Sequence, residues 1–231
     1  MTTKSDKPGK MLVLGYDAMT FDIMKPLIKE GKMPNFKMMM EKGAYGDLRS
    51  TFPPVTPPAW ATFMTGKNPA KHGVYNFYYH SNDPSKDDEN YFVNSHSIKA
   101  NTIWEILSER KKKNIVVNLP VSYPLTEHMN GIIISGLLTP NNAKDTAFPD
   151  TILDEIKENV GEYKVDSHPS TDWSDMSVKE RLEHYIHTEE ERTKTSLYLM
   201  KKHPWDFFMV MFSFTDKILH IAYPHLKKDF P

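Results

Sequence analysis

The sequence predicts an α/β domain built on a mostly parallel central sheet flanked by helices. Two observations carry that expectation. Short apolar runs, "MLVLGYD" (11–17), "NIVVNLP" (114–120), "GIIISGLL" (131–138) and "WDFFMVMFS" (205–213), alternate with stretches of helical character. The runs are continuous in their apolar residues rather than strictly alternating, the pattern of strands buried on both faces of a parallel sheet.

Along the chain, residues 1–10 ("MTTKSDKPGK") read as a polar tail, and residues 11–231 as one domain. The first strand ends at Asp17. Helices are expected over Phe21–Lys29 and Pro34–Lys42, then a short strand at "GDLRS" (46–50). Thr56 to about Thr65 reads as a helix, with Thr56 at the N-cap, Pro57 at the first helical position and Gly66 as the stop. Prolines flank Thr56 in "FPPVTPPAW", restricting the backbone on both sides. Residues 80–90 ("HSNDPSKDDEN") are polar and turn-rich, a loop or insertion. A helix is expected over about 102–111, another over roughly 149–159, and a long amphipathic one over 177–202, with Val178, Leu182, Tyr185, Ile186, Leu197 and Met200 along one side. The methionines at 38–40 are expected to fill core.

Composition narrows the function. The 231 residues carry a formal net charge of -1, and no basic run is long enough to suggest a nucleic-acid duplex as partner. The "RKKK" stretch at 110–113 suits the C-terminal end of a helix, where the dipole favours cations. With no cysteine, thiol catalysis, disulfides and Cys-ligated metals are excluded. Neither a signal-peptide pattern nor an apolar run of roughly 20 residues is present, so a soluble, cytoplasmic protein with no membrane association is expected.

Ligands of parallel α/β sheets gather at the carboxyl ends of the strands. Asp17 ends one strand there. "FTDKILH" follows another and supplies Asp216 and His220, which share a helix face at i, i+4 spacing. A carboxylate and an imidazole so placed can bind one metal ion. Thr56, at a helix N-terminus, puts a hydroxyl where the helix dipole favours an anion such as phosphate. Together these pieces are what metal-assisted phosphoryl transfer requires. Singly, each has a plainer reading: a helix cap, a strand-end turn acid, a solvated ion pair.

The stretch "VLGYDAMTFDIMKPLIKEGKMPNFKMMMEKGAYGDLRSTFPPVTPPAWATFMTGKNPAKHGVYNF" resembles the N-terminal core of the type I phosphodiesterase/nucleotide pyrophosphatase family of the alkaline phosphatase superfamily. The resemblance continues through "TIWEIL", "NIVVNLPVSYP", "GIIISGLLTP" and "WDFFMVMFSFTDKILH", and so covers nearly the whole chain. It implies a hydrolase of small phosphoester substrates with two neighbouring divalent metals, most often Zn²⁺ and sometimes Mn²⁺. Thr56 would be the nucleophile, passing through a phosphothreonine. Asp17 would ligate the metal beside Thr56, and Asp216 and His220 the second metal.

Asn76 in "HGVYN" stands one residue closer to the His-Gly turn than the phosphate-holding asparagine of the eukaryotic members. Trp60 and Lys67 are further substrate-binding candidates, each with packing or solvated surface as the plainer role. Related sulfatases continue from Cys or Ser with x-Pro-x-Arg; Thr56 and Trp60 occupy the first and last of those positions here, against sulfatase chemistry. The resemblance also implies an adjacent Asp-His pair and a later histidine, neither of which occurs before Pro231. The expectation is therefore a fragment lacking a second half, or a chain with an incomplete site. Phosphomonoester, phosphonate or phospho-sugar processing, and a non-catalytic metal- or ligand-binding protein, stay open beside the phosphodiesterase reading. His72 is expected to be structural, His184 and His187 solvated, and Tyr75, Phe77, Tyr78 and Tyr79 a packing cluster near the site mouth.

Overall fold

Four apolar runs become four parallel strands, and their order in space differs from their order in the chain. The structure, a computed structural model, describes residues 9–80, 90–125, 129–165 and 176–226. Nearly all of the expected polar tail and of the loop at 80–90 lies outside those residues. In chain order the elements are β1 (Met11–Tyr16), α1 (Phe21–Lys29), α2 (Pro34–Lys42), α3 (Thr56–Thr65), α4 (Pro69–His72), β2 (Tyr78–His80), β3 (Asn90–Phe92), α5 (Ile103–Glu109), β4 (Asn114–Leu119), β5 (Gly131–Ser135), β6 (Ala147–Phe148), α6 (Ile152–Asn159), α7 (Val178–Lys202), β7 (Phe207–Phe212) and α8 (Phe214–Leu226).

The main sheet runs β1-β7-β4-β5-β6, with the first four strands parallel and β6 antiparallel to β5. β4 is buried at every residue and β7 through Met211, as their unbroken apolar sequence requires. Successive side chains face opposite ways, so the sheet feeds two cores. Val116, Met209 and Met211 pack with Trp60, Met64 and Trp104 on one side. Ile115, Val117, Phe208 and Val210 pack with Ile152, Ile156 and Leu199 on the other. β1 is an edge strand, paired with β7 alone among the described residues, and Met11, Leu12 and Leu14 are exposed.

Several expectations need correction. "GDLRS" is not a strand: residues 46–50 have no regular structure and pair with no strand, with Leu48 87% exposed, and a strand without a partner leaves its backbone groups to water. The run 131–138 stops being strand at Ser135, because Gly136 lies against the Asn118 and Leu119 backbone, 2.4 Å from where its Cβ would be, and Leu138 turns to φ +77. Met38 and Met39 are exposed rather than core. The two-stranded β2–β3 ribbon and the short β6 were not expected at all.

The long helix forms where predicted, opened by a capping box between Ser177 and Glu180, but a different face is buried. Arg192, Thr195, Ser196 and Leu199 point inward, while Val178, Ile186 and Leu197 are exposed. These four also fall at helical spacing. Two are small hydroxyl residues and one is a charge with a partner on its own helix, so an apolar pattern could not reveal the contact.

Candidate active site

Where β1 and β7 end side by side, the chain leaves two acids close together. Tyr16 is in register with Phe212, and the next amide along, that of Asp17, donates to the Phe212 carbonyl at 3.0 Å. The Tyr16 and Phe212 rings stack with centroids 5.2 Å apart, fixing the last rung of the ladder. Asp17 follows β1 directly, and Asp216 sits in the first turn of α8.

The Asp17 carboxyl is held above the usual carboxylate range. Burial is the main cause, and the like charge of Asp216 adds to it. Hydrogen bonding from the Trp60 indole, the Thr56 hydroxyl and the Ala18 backbone acts in the opposite sense. The structure thus brings Asp17, Thr56, Trp60 and Asp216 together. His220 joins through Asp216, its Nε2 3.5 Å from Oδ1, one helical turn further out and 80% exposed.

Thr56 arrives by a route slightly different from the one expected. Val55, in extended conformation, is the N-cap of α3, and Thr56 is the first helical residue. Pro57 and Pro58 have no N–H, and the Ala59 amide bonds the Val55 carbonyl at 3.0 Å. The helix start therefore offers a ligand the amide of Thr56 rather than a fan of first-turn donors. Stiffness is what the prolines contribute, not anion-binding amides.

Trp60 is four residues after Thr56 and so on the same face of α3. Its ring is 9% exposed and lies on β1 at Gly15, where an added Cβ would stand 2.4 Å from the Trp60 Cη2. With the ring anchored there, the indole N–H is presented to Asp17. The expected substrate-binding residue Trp60 is thus placed beside Asp17. The i, i+4 spacing from Thr56 is the signal in the sequence that could have shown the two side chains to be neighbours.

Two other expected residues are not drawn in. Lys67 is exposed beyond Gly66, the left-handed residue that ends α3, at the opposite end of a ten-residue helix about 15 Å long from Thr56. Asn76 is exposed, and its Oδ1 accepts the Phe77 amide at 2.8 Å in a local turn.

His72 is fully buried. Its Nδ1 accepts the Val74 amide at 3.1 Å, which leaves Nε2–H to donate to Thr62 Oγ1 at 3.0 Å. Thr62 in turn reaches Thr51 at 3.3 Å, tying α3 to the segment that leads into Thr56. Burial lowers the His72 pKa, which keeps this ring neutral. Phe77 and Tyr79 pack against a third apolar cluster that includes Ala61 and Val74, whereas Tyr75 and Tyr78 are exposed.

Among the described residues no three His, Asp or Glu side chains close into a group that could hold a metal, and no helix is long and apolar enough to cross a membrane. Glu189, on α7, is the residue near this site that sequence reasoning missed altogether.

A family model described as type I phosphodiesterase / nucleotide pyrophosphatase matches residues 11–229. Among solved structures, phosphonoacetate hydrolase from Sinorhizobium meliloti 1021 in complex with phosphonoformate superposes with a TM-score of 0.62 at 18% identity, over 90% of this chain and 47% of that one. The same enzyme in complex with phosphonoacetate gives 0.60 at 19% identity, with the same coverage. At such identity the likeness is one of fold, and the chain spans about half the length of these structures. The search of curated proteins finds no significant match.

Proposed function

The chain belongs to the type I phosphodiesterase / nucleotide pyrophosphatase family, and from that premise we propose that its site serves a metal-dependent phosphohydrolase acting on small phosphodiesters or nucleotide pyrophosphates. The observation that carries the reading is the convergence of Thr56, Trp60 and Asp216 on the desolvated Asp17.

Thr56 Oγ attacks phosphorus in line with the leaving alcohol. The Oγ–P bond forms as the P–O bond to the leaving group breaks, giving a phosphothreonine that water then hydrolyses. Asp17 faces the hydroxyl and fixes its direction, while Trp60 fixes Asp17. The rigid proline-flanked start of α3 limits the orientational freedom that the attack has to remove.

The donor chemistry fits divalent cations. Two half-buried carboxylates held near each other repel, and a cation between or beside them removes that cost. Asp17 and Thr56 would hold one ion, Asp216 and His220 the other, with Zn²⁺ or Mn²⁺ suited to such mixed oxygen and nitrogen donors. Two residues per ion leave further coordination positions to be filled. When bound, the ions supply the positive charge that lowers the pKa of a coordinated hydroxyl or water.

The test is hydrolysis of bis-p-nitrophenyl phosphate in Zn²⁺ or Mn²⁺, with Thr56→Ala expected to lower kcat by about 10³-fold or more. An unchanged rate would refute Thr56 as nucleophile. A panel that adds p-nitrophenyl phosphate and phosphonoacetate separates diester cleavage from monoester and carbon–phosphorus cleavage. The phosphonate arm is included because the matching folds are solved with phosphonates bound.

A further inference from the structure

We infer that Glu189 is the positioning residue of this site, holding the start of α8 so that Asp216 is presented beside Asp17. The inference rests on the reading of Asp216 as part of a metal site.

α8 begins abruptly. β7 ends at Phe212, Ser213 is the only intervening residue, and its carbonyl already accepts the Lys217 amide at 3.1 Å. Helix starts leave amides without partners inside the helix. Here one carboxylate oxygen takes them: Glu189 Oε1 accepts the Ser213 and Phe214 amides at 2.8 Å each and the Ser213 hydroxyl at 3.2 Å. The other oxygen, Oε2, is held by the fully buried guanidinium of Arg192, one turn along α7. A negative charge at a helix N-terminus is also favoured by the dipole.

Glu189 therefore stands at the end of β7, whose last residue, Phe212, is in register with Tyr16, the residue before Asp17. Asp216 is two residues beyond the second captured amide, so a shift of the α8 start translates directly into a shift of its carboxylate. Errors of about 1 Å in such placement can cost 10²-fold in rate. Packing alone does not account for the arrangement: an apolar residue would suffice to fill the space, but not to accept two amides.

The experiment compares two double variants that both remove the buried charge pair. Glu189→Leu with Arg192→Met takes away the acceptor as well. Glu189→Gln with Arg192→Met keeps an amide oxygen to accept the same two N–H groups. For the first, the expected results are faster hydrogen exchange across 214–220, about tenfold weaker Mn²⁺ binding by calorimetry, and a kcat on bis-p-nitrophenyl phosphate lower by about 10²-fold with KM nearly unchanged. The second should restore most of all three. A core variant far from the site, Ile156→Val, controls for lost stability and should move none of them. Should the first variant not fold, Glu189→Asp shortens the carboxylate while keeping its charge, and should show the same effects to a smaller degree.

Wild-type exchange and Mn²⁺ affinity in the Glu189→Leu, Arg192→Met variant would overturn the inference, as would equal losses in both double variants. If the wild-type protein neither binds Mn²⁺ nor hydrolyses the diester, the positioning role falls with the phosphohydrolase reading. If it does both and Thr56→Ala has no effect, only the nucleophile assignment fails.

Discussion

Replacing Gly15 by alanine tests whether the site is built on β1 as described. The added methyl would lie 2.4 Å from Trp60 Cη2 and 3.0 Å from Cζ3, well inside contact distance. Trp60 cannot swing away, because it is 9% exposed and packed in the cluster with Met64, Trp104 and Met211. Overpacking of this kind costs about 1–3 kcal/mol. For a chain of this size that is a fall in Tm of roughly 2–12 °C. Displacing the ring also withdraws the indole N–H from Asp17, so activity at temperatures well below Tm should fall with it. Adding Trp60→Phe to Gly15→Ala removes the colliding ring, and the double variant should recover much of the stability lost by Gly15→Ala. It should not recover activity, since phenylalanine has no N–H to offer. Thermal melts and diester hydrolysis on the four proteins of the cycle decide the matter. A Gly15→Ala protein as stable as wild type would refute the packing, and full activity in the double variant would refute the orienting role of Trp60.

Asp17→Asn in metal-free protein should be at least as stable as wild type near neutral pH. The folded Asp17 pKa is raised, so its ionised carboxylate costs stability as pH rises through that value, and a neutral asparagine carries no such cost. The same variant should bind Mn²⁺ more weakly; a marked loss of stability in EDTA would contradict the origin given for the shift. His72 has the opposite sign: its pKa is lowered, so its contribution is intact above about pH 6.5 and declines as pH falls below that. Urea midpoints between pH 8 and 5 should show this decline, and His72→Gln should flatten it. Thr102→Ala, which breaks the capping box that opens α5, should cost about 1 kcal/mol without altering hydrolysis; a change in kcat there would mean that α5 communicates with the site.

The strands and most helices were legible because their signals are local. Continuous apolar runs gave β1, β4, β5 and β7, and Pro34 and Gly66 marked where helices begin and end. Asp17 and Asp216 could be placed together because parallel strands deliver their ends to one edge. What stayed hidden depends on contacts distant in sequence. Glu189 caps amides 24 and 25 residues away, and nothing about a glutamate in a charged helix announces that. The buried side of α7 was misread for the same reason: Arg192, Thr195 and Ser196 are inward because of what they meet, not because they are apolar. Thr56 was placed one position early, since a valine in extended conformation can begin a helix when prolines follow it. "GDLRS" has the residues of a strand but no neighbour to pair with.

The position of β7 has a consequence for the order of events on the ribosome. It is the last of the described strands to be made, yet it lies between β1 and β4, pairing Met11 with Phe207 and Asn114 with the same residue. Until it emerges, β1 lacks the one sheet neighbour it has among the described residues. At about 5–20 residues per second the first strand waits roughly 10–40 s for its partner. Its apolar surface is open to chaperones throughout that interval. The nascent chain carries Asp17 and Thr56 early but has no Asp216 to set against them, so the two acids meet only once the central strand is inserted.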